Sequence, residues 1–257
     1  MTTEKKDQFT RRSLETIYAK YNRFKFIHPD PLEFLFKYDD PEDREIVGLI
    51  ASSLAYGRVA QILKSVSIVL DKMGSPRNFI TSTSTSQVKR IFADFKHRFT
   101  TGQEMSAFIL GISRMIKRYD SIEGCFLEGY NEKDDTLFKA LEQFSHKLLH
   151  YSKTSKSSLV PNPTLGSACK RMNLYLRWMV RDDNVDPGGW SAVSTSKLII
   201  PLDTHMHRIS IDHGLTTRKN ADMKTAQEIT AAFAKICPKD PTRYDFALTR
   251  PGIRGED

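Results

Sequence analysis

Helical periodicity, sustained over most of the chain, is the feature that most narrows what this sequence can fold into. "PEDREIVGLIASSLAYG" has a proline near its start, acids in its first turn and a terminal glycine, the usual punctuation of a helix. "RVAQILKSVSIVLDKMG" repeats the arrangement and also ends in glycine. "SQVKRIFADFKHRF", "QEMSAFILGISRMIKRY", "DTLFKALEQFSHKLLHYS" and "MKTAQEITAAFAKIC" each set apolar residues three or four apart, the last stopped by Pro238. Ser86, Asp120 and Asp134 stand where caps or turns are expected. Strand signals are scarce: "KLII" is short, and nothing alternates over a useful length. There is no internal repeat and no coiled-coil heptad pattern. The expectation is an all-α protein with a short extended piece around Leu198.

Two stretches read as loops, "TSTSTS" (Thr81 to Ser86) and "SKTSKSSLVPNP" (Ser152 to Pro163). The second separates a helical middle section from the segment that carries the unusual residues. The organisation expected is one compact unit over 1–257, with helical lobes over 41–160 and 161–257 sharing a cleft. Residues 1–40 are expected to pack on the second lobe. At 257 residues and 39% hydrophobic, the chain can bury a core of that size.

Charge indicates the partner class. A formal net charge of +8 and a pI near 9.3 favour polyanions, nucleic acid first and anionic membrane second. Cys125, Cys169 and Cys237 lie far apart with no C-x-x-C pair, which argues against a disulfide framework, a structural zinc site and an iron–sulfur cluster. No long uncharged apolar run exists, and "MTTEKKDQFTRRSLETIYAKY" looks amphipathic rather than like a signal peptide. A cytoplasmic location is expected, with no membrane partner.

Chemistry concentrates after Pro163. In "TLGSACKRMNLYLRWMVRDD", Leu165, Ala168, Cys169, Met172, Leu176 and Met179 fall at helical spacing and should form one buried face. Lys170, Asn173, Arg177 and Arg181 follow the same rhythm on another face, either along a phosphate backbone or as a solvated cationic surface. If the helix begins near Thr164 or Gly166, Lys170 lies in or just past its first turn. The helix dipole disfavours a cation there, which suits amine chemistry, whereas a nearby carboxylate would act the other way.

The second candidate stretch is "LIIPLDTHMHRISIDHGLTTR". Pro201 disfavours helix at Ile200, so Asp203 or Thr204 can cap a helix that begins near His205. His205, His207 and His213 with Asp212 could in principle bind a metal. However, His205 and His207 diverge by about 200° on a helix and cannot chelate from one face. Asp203 is therefore read as a cap or as a catalytic carboxylate.

"PLDTHMHRISIDHGL" resembles the V-D-T-H-x-x-R-x-x-x-x-x-G-L element of the helix-hairpin-helix base-excision DNA glycosylases, with Asp203, Thr204, His205, Arg208, Gly214 and Leu215 in register. "KRMNLYLRWMVR" and "IPLDTH" also look like a bacterial family distantly similar to the archaeal 8-oxoguanine glycosylases. The superfamily likeness covers roughly residues 41 to 250, and only the Asp203 element is specific. It implies a two-lobed helical fold with a central cleft, a catalytic acid at Asp203 and a nucleophilic lysine at Lys170. It also implies that Tyr56, Gly57 and Arg58, in the linker between two early helices, lie near a lesion. With Arg171, Arg177, Arg181, His205 and Arg208, they form the expected DNA-binding set.

Two departures stand out. "VPNPTLGS" replaces the usual L-P-G-V-G hairpin, and "DDNVDPGGWS" lengthens the separation between Lys170 and Asp203. Trp190 in that insertion is either a base-stacking residue or a buried anchor for its loop. The activity implied is excision of an oxidised or otherwise damaged base from double-stranded DNA, with or without abasic-site lyase action. The protein is expected to work as a monomer without a metal or organic cofactor. The alternatives are a catalytically silent nucleic-acid binder on the same fold and a metal-dependent hydrolase.

Overall fold

The computed structural model describes residues 9–255. The first eight residues of the amphipathic N-terminal stretch therefore lie outside it, and α1 (Arg11–Tyr21) forms from the remainder. The chain continues through α2 (Pro41–Ser53), α3 (Val59–Met73), α4 (Pro76–Ser82) and α5 (Thr85–Ile91) to a small hairpin, β1 (Lys96–His97) and β2 (Thr100–Thr101). Then follow α6 (Gly102–Tyr119), α7 (Ile122–Leu127), α8 (Phe138–Tyr151), α9 (Lys170–Val180), α10 (Thr204–Asp212), α11 (Met223–Ile236) and α12 (Asp245–Arg254). The fold is mostly helical, and the hairpin is its one sheet among the described residues.

Sequence punctuation sets most boundaries. Pro41 opens α2 behind Asp40, whose side chain accepts from the Glu42 N–H; Gly74 closes α3 with φ +65. Asp222 caps α11 by accepting from the Thr225 N–H. Other boundaries shift. The helix expected over Ser86 to Phe99 stops at Ile91, because "ADF" turns the chain into the hairpin instead. Its cap is Ser84 rather than Ser86, in a capping box with Gln87. Most of "TSTSTS" is helical, and the α4–α5 junction narrows to Thr83 and Ser84. Asp120 turns the chain after α6 at φ +69, and Asp134 closes a turn by donating its N–H to the Asn131 carbonyl ahead of α8, which begins only at Phe138.

The piece around Leu198 is not a strand and pairs with no ladder. Ile199, Ile200 and Leu202 are nevertheless buried, and the Ile200 N–H donates to Thr230 Oγ1 at 3.0 Å. The apolar run thus threads the core and delivers Asp203 to the start of α10.

Packing brings the functional helices together. α2 packs on α9, α10 on α12, and α1 on α12. The 3₁₀ segment Pro31–Lys37 instead lies on α2, so the described residues 9–40 divide between these neighbours. Among the described residues no helix is long and apolar enough to cross a membrane.

Candidate active site

α9 does not begin where the spacing predicts. Pro163–Leu165 forms a separate 3₁₀ turn, Gly166 breaks it in the left-handed region, and α9 starts at Lys170 itself. Leu165 therefore leaves the expected apolar face and is 82% exposed, while Ala168, Cys169, Met172, Leu176 and Met179 are buried as expected. This places the Lys170 amine at the first residue of the helix, at the positive end of its dipole.

Asp203 lies at the start of α10, as expected. Its backbone is extended, and Oδ1 accepts from the Met206 N–H at 2.9 Å. The other oxygen, Oδ2, lies 3.1 Å from Lys170 Nζ. The cap and the ion pair thus use different oxygens of one carboxylate. Burial would raise the Asp203 pKa, but the Lys170 ammonium and the Met206 N–H outweigh it and hold the carboxyl below its usual range.

Both side chains line one cleft of about 620 Å³. Tyr56 and Gly57 contribute from one side, and Pro201 to His205 and the α12 residues Asp245, Thr249 and Arg250 from the other. Lys170 is 36% exposed and Asp203 16%, so a ligand in the cleft reaches both. Arg58 and Arg208 are exposed, Arg58 beside the Tyr56–Gly57 rim and Arg208 on α10.

Three arginines do not behave as a phosphate-facing row. Arg171 donates through Nη1 to the Ser53 carbonyl at 2.6 Å and lies 4.9 Å over the Tyr56 ring, which fixes the rim rather than reaching outward. Arg177 and Arg181 are each only 3% exposed. Arg177 pairs with Asp186 at 3.1 Å and with Asp245; Arg181 pairs with Asp183 at 2.7 Å, Asp240 at 2.9 Å and Asp186. Neither of the two readings of that face survives for these residues: they are core ion pairs, neither phosphate contacts nor a solvated surface. Asn173 on the same row is buried too. The physical reason is the insertion after α9, which folds back and supplies Asp183 and Asp186. Trp190, at the end of that insertion, is a buried anchor that donates through Nε1 to Glu45 Oε2 at 3.3 Å.

The histidines diverge. His205 lines the cleft, His207 donates through Nε2 to the Arg218 carbonyl at 2.9 Å, and His213 stacks on Phe9 with centroids 3.8 Å apart. Among the described residues no group of three or more His, Cys, Asp or Glu is arranged to hold a metal ion.

Sequence reasoning missed two residues at the cleft floor. Asp245 is fully buried, and burial pushes its pKa up to about 6 despite the Arg177 guanidinium; the nearby Asp203 charge adds to the rise. Arg250 stacks 4.0 Å over Phe246 and pairs with Asp30 at 2.9 Å. Its Nε and Nη1 find no hydrogen-bond partner among the described residues. Both sit in α12, and nothing in the spacing of "DFALTRPGIR" marks a functional face.

Residues 30–254 match a family described as "Protein of unknown function (DUF2400)". The chain belongs to that family. No curated protein and no solved structure matches it. The family segment takes in Lys170, Asp203, the Tyr56–Arg58 rim and the α12 floor, and it leaves α1 outside.

Proposed function

We propose that this DUF2400 protein is a DNA base-excision glycosylase with abasic-site lyase activity, acting on an oxidised or otherwise damaged base. One observation carries the reading: an amine and a carboxylate, each at a helix N-terminus, meet at 3.1 Å in a cleft wide enough for a nucleotide. Such a pair suits attack at a sugar carbon. A flipped nucleotide would place C1′ against Lys170. Asp203 would stabilise the positive charge that develops on the sugar as the glycosidic bond lengthens.

The lysine must shed its ammonium proton, which passes to water as the substrate enters the cleft, so that Asp203 stays ionised while the glycosidic bond lengthens. The base leaves with the bonding electrons while Lys170 forms the new C–N bond, and Asp203 passes the proton shed by the bound amine to the departing base. Ring opening gives an imine, and loss of a 2′ proton expels the 3′ phosphate. Water then hydrolyses the imine and frees Lys170. The net charge of +8 and the exposed Arg58 and Arg208 support double-stranded DNA as the partner.

The test is borohydride trapping of the purified protein on a panel of duplexes, each with one damaged base, alongside Lys170→Gln. A covalent adduct that depends on Lys170 supports the reading. Salt-sensitive binding without any adduct or released base would instead favour a silent nucleic-acid binder, in which the Lys170–Asp203 pair is structural.

A further inference from the structure

We propose that the hollow between α5, α6 and the end of α8 is a binding site for a small organic phosphate, whose charged end is held by Lys89, Arg114 and Lys153. The hollow measures about 600 Å³. Small-molecule sites run from roughly 300 to 1,000 Å³. It shares no lining residue with the Lys170–Asp203 cleft and stands apart from the excision chemistry proposed there. Its three cations come from three elements, Lys89 from α5, Arg114 from α6 and Lys153 from the turn after α8. No aspartate or glutamate lines it, whereas the other cleft has Asp30, Asp203 and Asp245 in its walls.

None of these cations forms an ion pair among the described residues. Arg114 donates through Nη1 to the Tyr151 carbonyl, which fixes its guanidinium where α6 meets the end of α8. Tyr151 is two residues before Lys153, so Arg114 and Lys153 stand at the same end of the hollow. A concave wall lined by one sign of charge focuses its field into the space it encloses. Like charges there repel one another, and a bound anion relieves that repulsion.

Lys153 occupies a position that a lysine does not favour. It follows the last residue of α8 at φ +55, in the left-handed region. Its N–H donates to the His150 carbonyl at 3.0 Å and the Thr154 N–H to the Leu149 carbonyl at 3.2 Å, the two bonds of a Schellman turn. Glycine is the usual residue there because a Cβ is strained in that conformation. A cation also suits the carbonyl end of a helix, for Lys153 after α8 and for Lys89 in the last turn of α5. Arg114, in the middle of α6, has no such reason to be there.

The floor suits an uncharged body beside the phosphate. Ala107, Leu110 and Arg114 follow one another on one face of α6 at helical spacing. Ala107 and Arg114 are therefore about 10 Å apart along the axis, with an apolar surface leading up to the cation. Gly111 leaves no room for a Cβ against Ser152, so the end of α8 closes tightly on α6 behind that surface. Ser152 also lines the hollow, and its buried Oγ has no hydrogen-bond partner among the described residues. A duplex carries its phosphates on a convex surface, whereas a single ester fits inside a recess of this size.

The test titrates the purified full chain at low salt, by calorimetry, with adenosine 5′-monophosphate, inorganic phosphate and adenosine. The monophosphate should bind saturably, and about tenfold or more tighter than either of the others, since each lacks one half of it. Lys89→Gln and Lys153→Gly should each weaken it about fivefold or more. Lys153→Gly keeps the fold, because glycine is the residue that turn prefers. Ala107→Phe should block binding by filling the floor. Lys235→Gln, on α11, and Lys170→Gln should leave it within about twofold of the wild type. An equal loss from Lys235→Gln would reduce the effect to net charge and overturn the site. A loss from Lys170→Gln alone would put the ligand in the other cleft and overturn it too. Inorganic phosphate bound as tightly as the monophosphate would rule out an organic ligand, and no saturable binding of either phosphate would rule out the site.

Discussion

Arg177 and Asp186, nine positions apart, form an ion pair with N and O 3.1 Å apart and side chains only 3% and 0% exposed. The same carboxylate also pairs with Arg181. Two guanidinium groups thus share one buried acid, while Arg177 also holds Asp245 and Arg181 also holds Asp183 and Asp240. Removing Asp186 leaves buried N–H donors of both arginines without an acceptor, which costs about 1–3 kcal/mol. Asp186→Ala should destabilise the protein by that order, read as a lower urea midpoint with an unchanged m-value. A loss below about 1 kcal/mol, the range of a surface pair, would contradict this account of the network.

Asp245 gives a pH-dependent prediction with a defined sign. Burial raises its pKa from 3.8 to about 6. Between those values the folded chain holds more protons at this site than the unfolded chain. The contribution of Asp245 to stability is therefore greatest below pH 3.8 and is lost as pH rises through 6. A shift of that size corresponds to about 3 kcal/mol. Stability measured by urea unfolding at pH 4, 5, 6 and 7 should fall for the wild type relative to Asp245→Asn by that order. A difference between the two that is flat with pH, or that rises, would show that Asp245 is not a raised acid.

The helices were legible because their signals are local. Proline at the start of α2, glycine after α3 and a stop at Pro238 near the end of α11 fix boundaries without help from the rest of the chain. Asp203 as a helix cap was legible for the same reason, since Pro201 forbids helix just before it. The row Lys170, Asn173, Arg177 and Arg181 was misleading. Periodicity assigns residues to a face but does not say what covers that face. Here the cover comes from Asp183 and Asp186, close in sequence but beyond the helix end, and from Asp240 and Asp245 at long range. Aspartates two, five and nine places after an arginine are a weak cue that such a row folds inward. Nothing local marks the β1–β2 hairpin either, because "FADFKHRF" carries helical spacing up to the point where the chain turns.

The Lys170–Asp203 pair makes a double claim about rate and stability. Lys170→Gln should abolish the borohydride adduct yet leave DNA binding largely intact, since the phosphate-facing groups remain. Asp203→Asn should lower turnover strongly, because an amide cannot stabilise a developing cation as a carboxylate can. An asparagine still accepts from the Met206 N–H, so the stability loss through the cap should stay within about 1 kcal/mol. Base release and urea unfolding on the same preparations separate the two effects. If Asp203→Asn unfolds the protein while the surviving folded fraction keeps full activity, the carboxylate is a cap and nothing more.

Salt dependence tests which cations meet the DNA. A protein that neutralises Z phosphates shows log K falling with log salt at a slope of about −0.9Z. Affinity for a duplex should therefore drop steeply between low and moderate salt. Arg58 is exposed beside the Tyr56–Gly57 rim and Arg208 is exposed on α10, whereas Arg177 and Arg181 are buried against aspartates. Arg58→Ala and Arg208→Ala should each reduce the magnitude of the slope by about 1. Arg177→Met should lower stability without changing the slope, provided that binding is measured on the folded fraction. A salt slope near zero would remove the basic surface as a DNA footprint. A change in slope from Arg177→Met alone would mean that the buried network opens when DNA binds.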